Sequence, residues 1–162
     1  MRVRRLTKGD ESLWRSAVSA VIAAADRDGR LASAAEVAGA LSDERCYLLV
    51  AMQGADPVGL LSAYRFPDIT AGGELVYLYD IEVITAHRRN GVGAELVQAL
   101  VRCCEHDKVK LIWAGTNTRN LAARRTFETT GAELEGDSYA EYEWNLEDVA
   151  ACTASLIASA HD

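Results

Sequence analysis

Basic residues are missing from the last part of the sequence, where no Lys or Arg occurs after Arg125. Residues 126–162 carry nine acidic side chains, whereas the preceding residues are nearly balanced in charge, so the net charge of −7 arises in the C-terminal region. Because phosphates are bound by Lys and Arg, nucleic acid is not an expected partner of this region. A cationic small molecule suits it better.

Long apolar runs and paired cysteines are also missing. No stretch approaches the roughly 20 apolar residues that span a bilayer, and the charged N-terminus has no apolar run behind it. The four cysteines form no CxxC pair and the three histidines are scattered, which argues against a metal site. We therefore expect a cytoplasmic protein with reduced cysteines, no metal and no membrane partner.

The composition is that of a folded domain. The chain has 162 residues, of which 49% are hydrophobic and 25% charged, with 12 glycines, two prolines and no internal repeat. These values predict one domain over residues 1–146, followed by a tail over residues 147–162 for which a helix is one option.

Hydrophobic periodicity predicts a mixed α/β domain in the order βααβββαβαββ, with helices on both faces of a central sheet. Strands are predicted over residues 2–6, 46–52, 57–64, 74–84, 109–114, 132–135 and 139–146. Helices are predicted from an N-cap at Thr7 to about residue 25, over residues 34–41 and 92–104, and over residues 120–130 with Gly131 as the stop. The tryptophans are expected in the core.

The turn between the fourth strand and the third helix has the composition of an anion-binding site. It reads Arg88-Arg89-Asn90-Gly91-Val92-Gly93. A helix start leaves about four backbone N–H groups unpaired at the positive end of the helix dipole, glycine permits close approach, and arginine pairs with phosphate. The sequence predicts a pyrophosphate cradle; the simpler alternative is a turn shaped by glycines with solvated arginines. Neither the P-loop nor the dinucleotide fingerprint is present.

Two motifs carry a family resemblance. The pattern [Arg/Gln]-x-x-Gly-x-[Gly/Ala] after a long strand resembles motif A of the GCN5-related N-acetyltransferases, and Asn120-x-x-Ala123-x-x-x-Phe127-x-x-x-Gly131 resembles motif B. The resemblance extends over residues 2–146. It implies the fold of that superfamily, a central mostly antiparallel sheet with helices on both faces, and acetyl-CoA as co-substrate.

The same resemblance implies which residues hold acetyl-CoA. The fourth strand would pair with the pantetheine arm, the following turn would bind the pyrophosphate, and the fourth helix would flank the thioester. The implied contacts are Ile81, Glu82, Val83, Arg88, Arg89, Asn90, Gly91, Val92, Gly93, Ala94, Asn120 and Phe127. The family usually has a tyrosine where this chain has Phe127, so the usual proton donor to the thiolate is missing; Tyr139 and Tyr142 are alternatives.

A finer resemblance concerns the acceptor. The segment Tyr77-Leu-Tyr-Asp-Ile81, followed by His87-Arg-Arg89, resembles the type I aminoglycoside 3-N-acetyltransferases, which modify gentamicin. This implies acetylation of the 3-amino group of the 2-deoxystreptamine ring, and with it antibiotic resistance. The superfamily resemblance also favours a homodimer.

Acidic residues are the candidates for binding such a polycation, because each buried ammonium needs a replacement for its lost water. We predict Asp80 as the catalytic base and Tyr79, Asp80, Glu141 and Glu143 as the acceptor contacts. Glu141 and Glu143 share one face of the predicted last strand.

Other functions remain open. The same acids suit a polyamine, a small amine or a protein N-terminus as acceptor. Phe127 is also consistent with a non-catalytic sensor that only binds acyl-CoA.

Overall fold

The computed structural model describes residues 1–23, 26 and 29–136. In chain order the elements are β1 (Arg2–Arg5), α1 (Glu11–Val21), α2 (Ala34–Ser42), β2 (Cys46–Gln53), β3 (Asp56–Pro67), β4 (Glu74–Val83), a 3₁₀ turn (Thr85–His87), α3 (Val92–His106), β5 (Leu111–Ala114) and α4 (Leu121–Thr129). The predicted strand over residues 139–146, the tail, and with them Tyr139, Glu141, Tyr142 and Glu143, lie outside the described residues.

The sheet has the strand order β1-β2-β3-β4-β5. The first four strands pair with one another in antiparallel fashion, and β5 runs parallel to β4. The predicted mixed, mostly antiparallel sheet is thereby confirmed. Within the described residues, no helix combines the length and the apolar composition needed to cross a membrane.

Each face of the sheet buries its own apolar cluster. On one face, side chains of β2 to β4 such as Leu61 and Leu78 pack with Leu96 and Leu100 of α3. On the other face, the cluster that contains Leu60 packs with residues of α1 and α2. A fully buried leucine contributes about 1.5–3 kcal/mol, so these two clusters hold helices on both faces, as predicted.

A β-bulge interrupts β4 at the centre of the sheet. Ser62 of β3 lies opposite Asp80, but the next residue, Ala63, lies opposite Leu78, so Tyr79 is the extra residue. A bulge bends the strand and redirects the side chains next to it. Asp80 and Tyr79 therefore leave the regular alternation of β4.

β4 and β5 pair over only four residues. The parallel register runs from Leu75 with Leu111 to Leu78 with Ala114. Beyond Leu78, residues 79–83 continue along β3 with no described strand on their other side. This leaves an open notch between the end of β4 and the departing chain of β5.

Two predicted features of the chain are wrong. The N-cap of α1 is Asp10 and not Thr7, because the Asp10 carboxylate accepts hydrogen bonds from the Thr7 N–H (3.1 Å) and from Arg4 (2.9 Å) and holds the turn before the helix. Residues 132–135 form no strand. They are exposed and lie between Gly131 and Gly136, both with positive φ, and no described strand is available to pair with them.

Candidate active site

The start of α3 offers free backbone donors beside the notch. Its N-cap, Gly91, has φ 81° and ψ 0°, and the first bond into the helix runs from the Glu95 N–H to the Gly91 carbonyl over 3.0 Å. The N–H groups of residues 92–94 thus lie outside the helical ladder, at the positive end of the dipole. A Cβ on Gly91 would have nothing within 4 Å, so this turn is open to a ligand.

Arg89 is held in an unusual conformation in the same turn. Its φ is +64°, one of two positive values among the described residues other than glycine. Such a conformation costs a non-glycine residue on the order of 1 kcal/mol, and it is often found at functional sites. The side chains of Arg89 and the neighbouring Asn90 are exposed, and Arg89 forms no ion pair within the described part of the chain.

Arg88 is used differently. Its Nε donates to the Val83 carbonyl over 2.9 Å, and its Nη2 lies 3.6 Å from the Glu82 carboxylate. The guanidinium therefore ties the turn to the end of β4. Of the two predicted arginines, Arg89 is the one whose charge is available to a phosphate, because Arg88 is engaged with Val83 and Glu82.

Asp80 is a partly buried carboxylate in the part of β4 that borders the notch, and it has no basic partner among the described residues. It forms no ion pair in the described part of the chain. Burial raises the pKa of Asp80 above its ordinary value, although a hydrogen bond from the Ile81 N–H opposes the shift. A carboxylate in this setting favours either a proton or a bound cation.

Two further acids add negative charge at this end of β4, where Asp26 acts on Glu82. Burial raises the pKa of Glu82, and the charges of Asp80 and Asp26 raise it further, whereas Arg88 lowers it. Asp26 comes from the connection between α1 and α2, so no local pattern in the sequence links it to β4. The predicted acidic site thus gains a contributor that sequence spacing did not reveal.

Asn120 and Phe127 have structural roles on α4. Asn120 Oδ1 accepts a hydrogen bond from the Ala123 N–H over 3.1 Å and caps the helix. Phe127 is partly buried against the cluster that α3 shares with the sheet. The structure places both residues on the helix that packs beside the start of α3, but the contacts described for them are within the protein.

Two residues near the site, Thr126 and Ser62, were not predicted from the sequence. Thr126 of α4 lies against Gly93, where a Cβ would be 3.4 Å from Thr126 Cγ2, so this glycine allows α4 to approach the start of α3. Ser62, opposite Asp80, is a polar side chain buried in the described core, with 6% exposure. Ser62 could have been found from the alternation of β3, since it shares a face with the buried Leu60.

No metal cluster accompanies these groups in the described residues, where no three His, Cys, Asp or Glu side chains converge. An open helix start, an unpaired strand edge and a buried acid are the features present. They suit a phosphate-bearing ligand at one end of the notch and a cation at the other.

The model of the acetyltransferase (GNAT) family matches residues 11–132. The chain belongs to this family. It is therefore an N-acetyltransferase of the GNAT type, and the family in general uses acetyl-CoA. The matched range includes the notch, the arginine–glycine turn and α4, so the predicted family is confirmed.

Solved structures share the fold at low identity. The aminoglycoside acetyltransferase meta-AAC0020 from an uncultured soil metagenomic sample, in complex with sisomicin, has a TM-score of 0.78 and 18% identity over 88% of this chain and 95% of that chain. A second aminoglycoside acetyltransferase from a soil metagenomic sample, HMB0005, has a TM-score of 0.73 and 21% identity, over 88% of this chain and 98% of that chain. The ribosomal-protein-alanine N-acetyltransferase of Brucella melitensis biovar Abortus 2308 has a TM-score of 0.66 and 18% identity, over 88% of this chain and 100% of that chain.

Proposed function

We propose that this acetyltransferase acetylates a polycationic aminoglycoside, at the 3-amino group of its 2-deoxystreptamine ring. The observation that carries the proposal is Asp80, a partly buried carboxylate without a basic partner in the described residues, located where β5 leaves β4. A protonated amine of the substrate supplies the missing positive charge. In the proposed product, one ammonium group of the antibiotic has been replaced by a neutral acetamide.

The arginine–glycine turn and the edge of β4 fit acetyl-CoA. The N–H groups of residues 92–94 and the Arg89 guanidinium would hold the pyrophosphate, since both provide positive potential beside an open turn. The backbone of residues 81–83 would hold the pantetheine arm, and the Val83 carbonyl in addition accepts a hydrogen bond from Arg88. When bound, acetyl-CoA supplies the acetyl group as a thioester. Asn120 and Phe127 would then flank the thioester end.

Asp80 would take the proton from the attacking amine. A base works best when its pKa is not far below the working pH, and burial moves the pKa of Asp80 in that direction. Tyr79 lies next to Asp80 and is 67% exposed, so its side chain is available to the acceptor. Glu82 would attract further ammonium groups, and we retain Glu141 and Glu143 as proposed contacts.

The aminoglycoside is preferred to other amines on two grounds. The segment from Tyr77 to Arg89 resembles enzymes that act on gentamicin, and solved structures with this fold include aminoglycoside acetyltransferases. A fold of this kind also acts on protein N-termini, as the ribosomal-protein-alanine enzyme does by name. A polyamine would meet the same carboxylates.

Release of free thiol from acetyl-CoA tests the proposal, with gentamicin, spermidine and a peptide panel as acceptors. We expect turnover with gentamicin and one added acetyl group, which NMR should locate on the 3-amino group. Turnover with spermidine or a peptide alone would overturn the aminoglycoside assignment. Tight binding of coenzyme A without turnover of any acceptor would indicate a sensor.

A further inference from the structure

Five aromatic side chains lie together on one face of the sheet, on β3, β4 and β5. We call them the aromatic face: Tyr64, Phe66, Tyr77, Tyr79 and Trp113. Ring centroids are 5.4 Å apart for Phe66 and Trp113, 5.3 Å for Tyr77 and Trp113, 6.3 Å for Tyr77 and Tyr79, and 5.7 Å for Tyr64 and Tyr79. Three of the four pairs meet edge to face, the arrangement that aromatic rings prefer. The contacts form one continuous chain of rings.

The aromatic face is open, so the expectation of a core position is wrong for Trp113, whereas Trp14 packs against a buried cluster. Trp113 is 42% exposed, Tyr64 40% and Tyr79 67%. The cause is the position of α1 and α2, because the buried cluster beneath them contains residues of β2 and β3 but none of β4 or β5 among the described residues. The sheet therefore extends past its helices on this side.

The aromatic face is continuous with the proposed catalytic acid. Tyr79 precedes Asp80 in the bulge, and Ser62, opposite Asp80, lies two residues before Tyr64 on β3. Burial raises the pKa of Tyr64, and the charge of Asp80 adds to the shift, whereas a hydrogen bond with Ser62 opposes it. A substrate amine at Asp80 would thus have the rest of its molecule over these rings.

We infer that the aromatic face binds the rings of the acceptor that lie away from the reacting amine, and so selects cyclic polycations over linear ones. This inference rests on the proposed function. An aromatic ring attracts a cation that lies over its face, by about 0.5–1 kcal/mol at an exposed site. A rigid amino sugar presents apolar C–H groups and ammonium groups side by side, which matches a surface of aromatic rings bordered by Asp80. A flexible linear polyamine would lose more conformational entropy on the same surface.

The test compares Trp113→Leu and Tyr79→Leu with the wild-type enzyme, using gentamicin and spermidine as acceptors. We expect each variant to raise KM for gentamicin by about twofold to fivefold, with KM for acetyl-CoA unchanged and little effect on any turnover of spermidine. Tyr79→Phe keeps the ring and should retain most of the affinity. Leu134→Ser, which removes another apolar side chain that is 70% exposed, should change neither KM.

Three results would overturn the inference. They are equal losses for gentamicin and spermidine, unchanged KM for gentamicin in both leucine variants, and a change of subunit number in sedimentation, which would make the aromatic face a contact between copies of the chain. If the wild-type enzyme acetylates no amine, the proposed function fails. Calorimetric titration of gentamicin then tests the aromatic face by itself, since binding that Trp113→Leu does not weaken would contradict it.

Discussion

Gly59 of β3 packs against Val92, the first residue of α3. A Cβ on residue 59 would lie 3.0 Å from Val92 Cγ1, 3.1 Å from the Glu82 carbonyl oxygen and 3.2 Å from a methyl carbon of Leu96. The absent side chain lets the helix start lie directly on the sheet, beside the end of β4. The position of the proposed pyrophosphate site therefore depends on a residue that would not touch the ligand.

Gly59→Ala should displace the start of α3. The Glu82 carbonyl belongs to the backbone and cannot rotate away, and Val92 is a stiff β-branched side chain in the first turn of α3. The helix start or the strand must therefore shift, at a cost of about 1–3 kcal/mol in the free energy of unfolding. We also expect a higher KM for acetyl-CoA, measured by thiol release, together with a lower Tm. Gly39→Ala is the matched control, because residue 39 has open space around it and lies within α2, where alanine favours the helix. A Gly59→Ala enzyme with unchanged Tm and KM would show that the contact is not restrictive.

Asp80→Asn should separate activity from stability. Removing the proposed base should lower kcat/KM for gentamicin by about tenfold or more. The same change should raise Tm at pH 7, because the pKa of Asp80 is raised in the folded protein and its ionised form is therefore disfavoured by folding.

The gain in Tm of Asp80→Asn should depend on pH. When the pKa of a carboxyl is raised by folding, the protein loses stability as the pH rises from the pKa of the unfolded state through that of the folded state. Asparagine does not titrate, so the variant does not show this loss. The gain in Tm should therefore disappear below about pH 4, where both side chains are neutral. Glu105→Gln, at an exposed position at the far end of α3, serves as control. An unaffected kcat/KM would remove Asp80 from the mechanism.

The fold was predictable from the sequence because its signals are local and agree with one another. Strand alternation, the apolar stripe of α3 and the stop at Gly131 each identify one element, and the family motifs order them. The failures concern side-chain contacts and pairing that hydrophobic periodicity does not encode. Asp10 at the start of α1 binds Arg4 of β1, and residues 132–135 carry a strand-like pattern although they form no strand.

The candidate site divides in the same way. Asp80 and the arginine–glycine turn stand out in the sequence because of their charge and their glycines. The pairing of Arg88 with Glu82, the proximity of Asp26 and the aromatic face depend on which strands are neighbours and which part of the sheet the helices leave uncovered. A one-dimensional pattern does not contain that information.

Phe127→Tyr tests whether the site works without the hydroxyl that this family usually places there. The Phe127 ring is only partly buried against the core shared with α3. We expect kcat to stay the same or to rise modestly, by less than about fivefold, in steady-state assays at saturating acetyl-CoA. Phe127→Leu, which keeps an apolar side chain, should lower Tm but leave kcat within the same range. A large loss of kcat in Phe127→Tyr would contradict the assigned position of the thioester.

Tyr47 and Asp107 form a stabilising pair at the opposite end of α3. The Tyr47 hydroxyl donates to Asp107 Oδ2 over 2.7 Å, and the Arg5 guanidinium lies 4.3 Å from the centroid of the Tyr47 ring. Burial by itself would raise the pKa of Asp107, but the bond from Tyr47 and the charges of Arg5 and Arg65 outweigh it, and the pKa is lowered. Tyr47→Phe removes a donor from a partly buried carboxylate and should cost about 1–3 kcal/mol in the free energy of unfolding.

This loss should depend on pH and leave the proposed active site unchanged. A carboxyl with a lowered folded pKa contributes stability above its unfolded value, near pH 4, and loses it as the pH falls through the folded value. The difference in the free energy of unfolding between Tyr47→Phe and the wild-type protein, measured with urea, should therefore become smaller in acid. A double-mutant cycle with Asp107→Asn isolates the pair. The start of α3 lies about 22 Å away along the helix, so KM for acetyl-CoA should not change, and a change would show that the two ends of α3 are coupled.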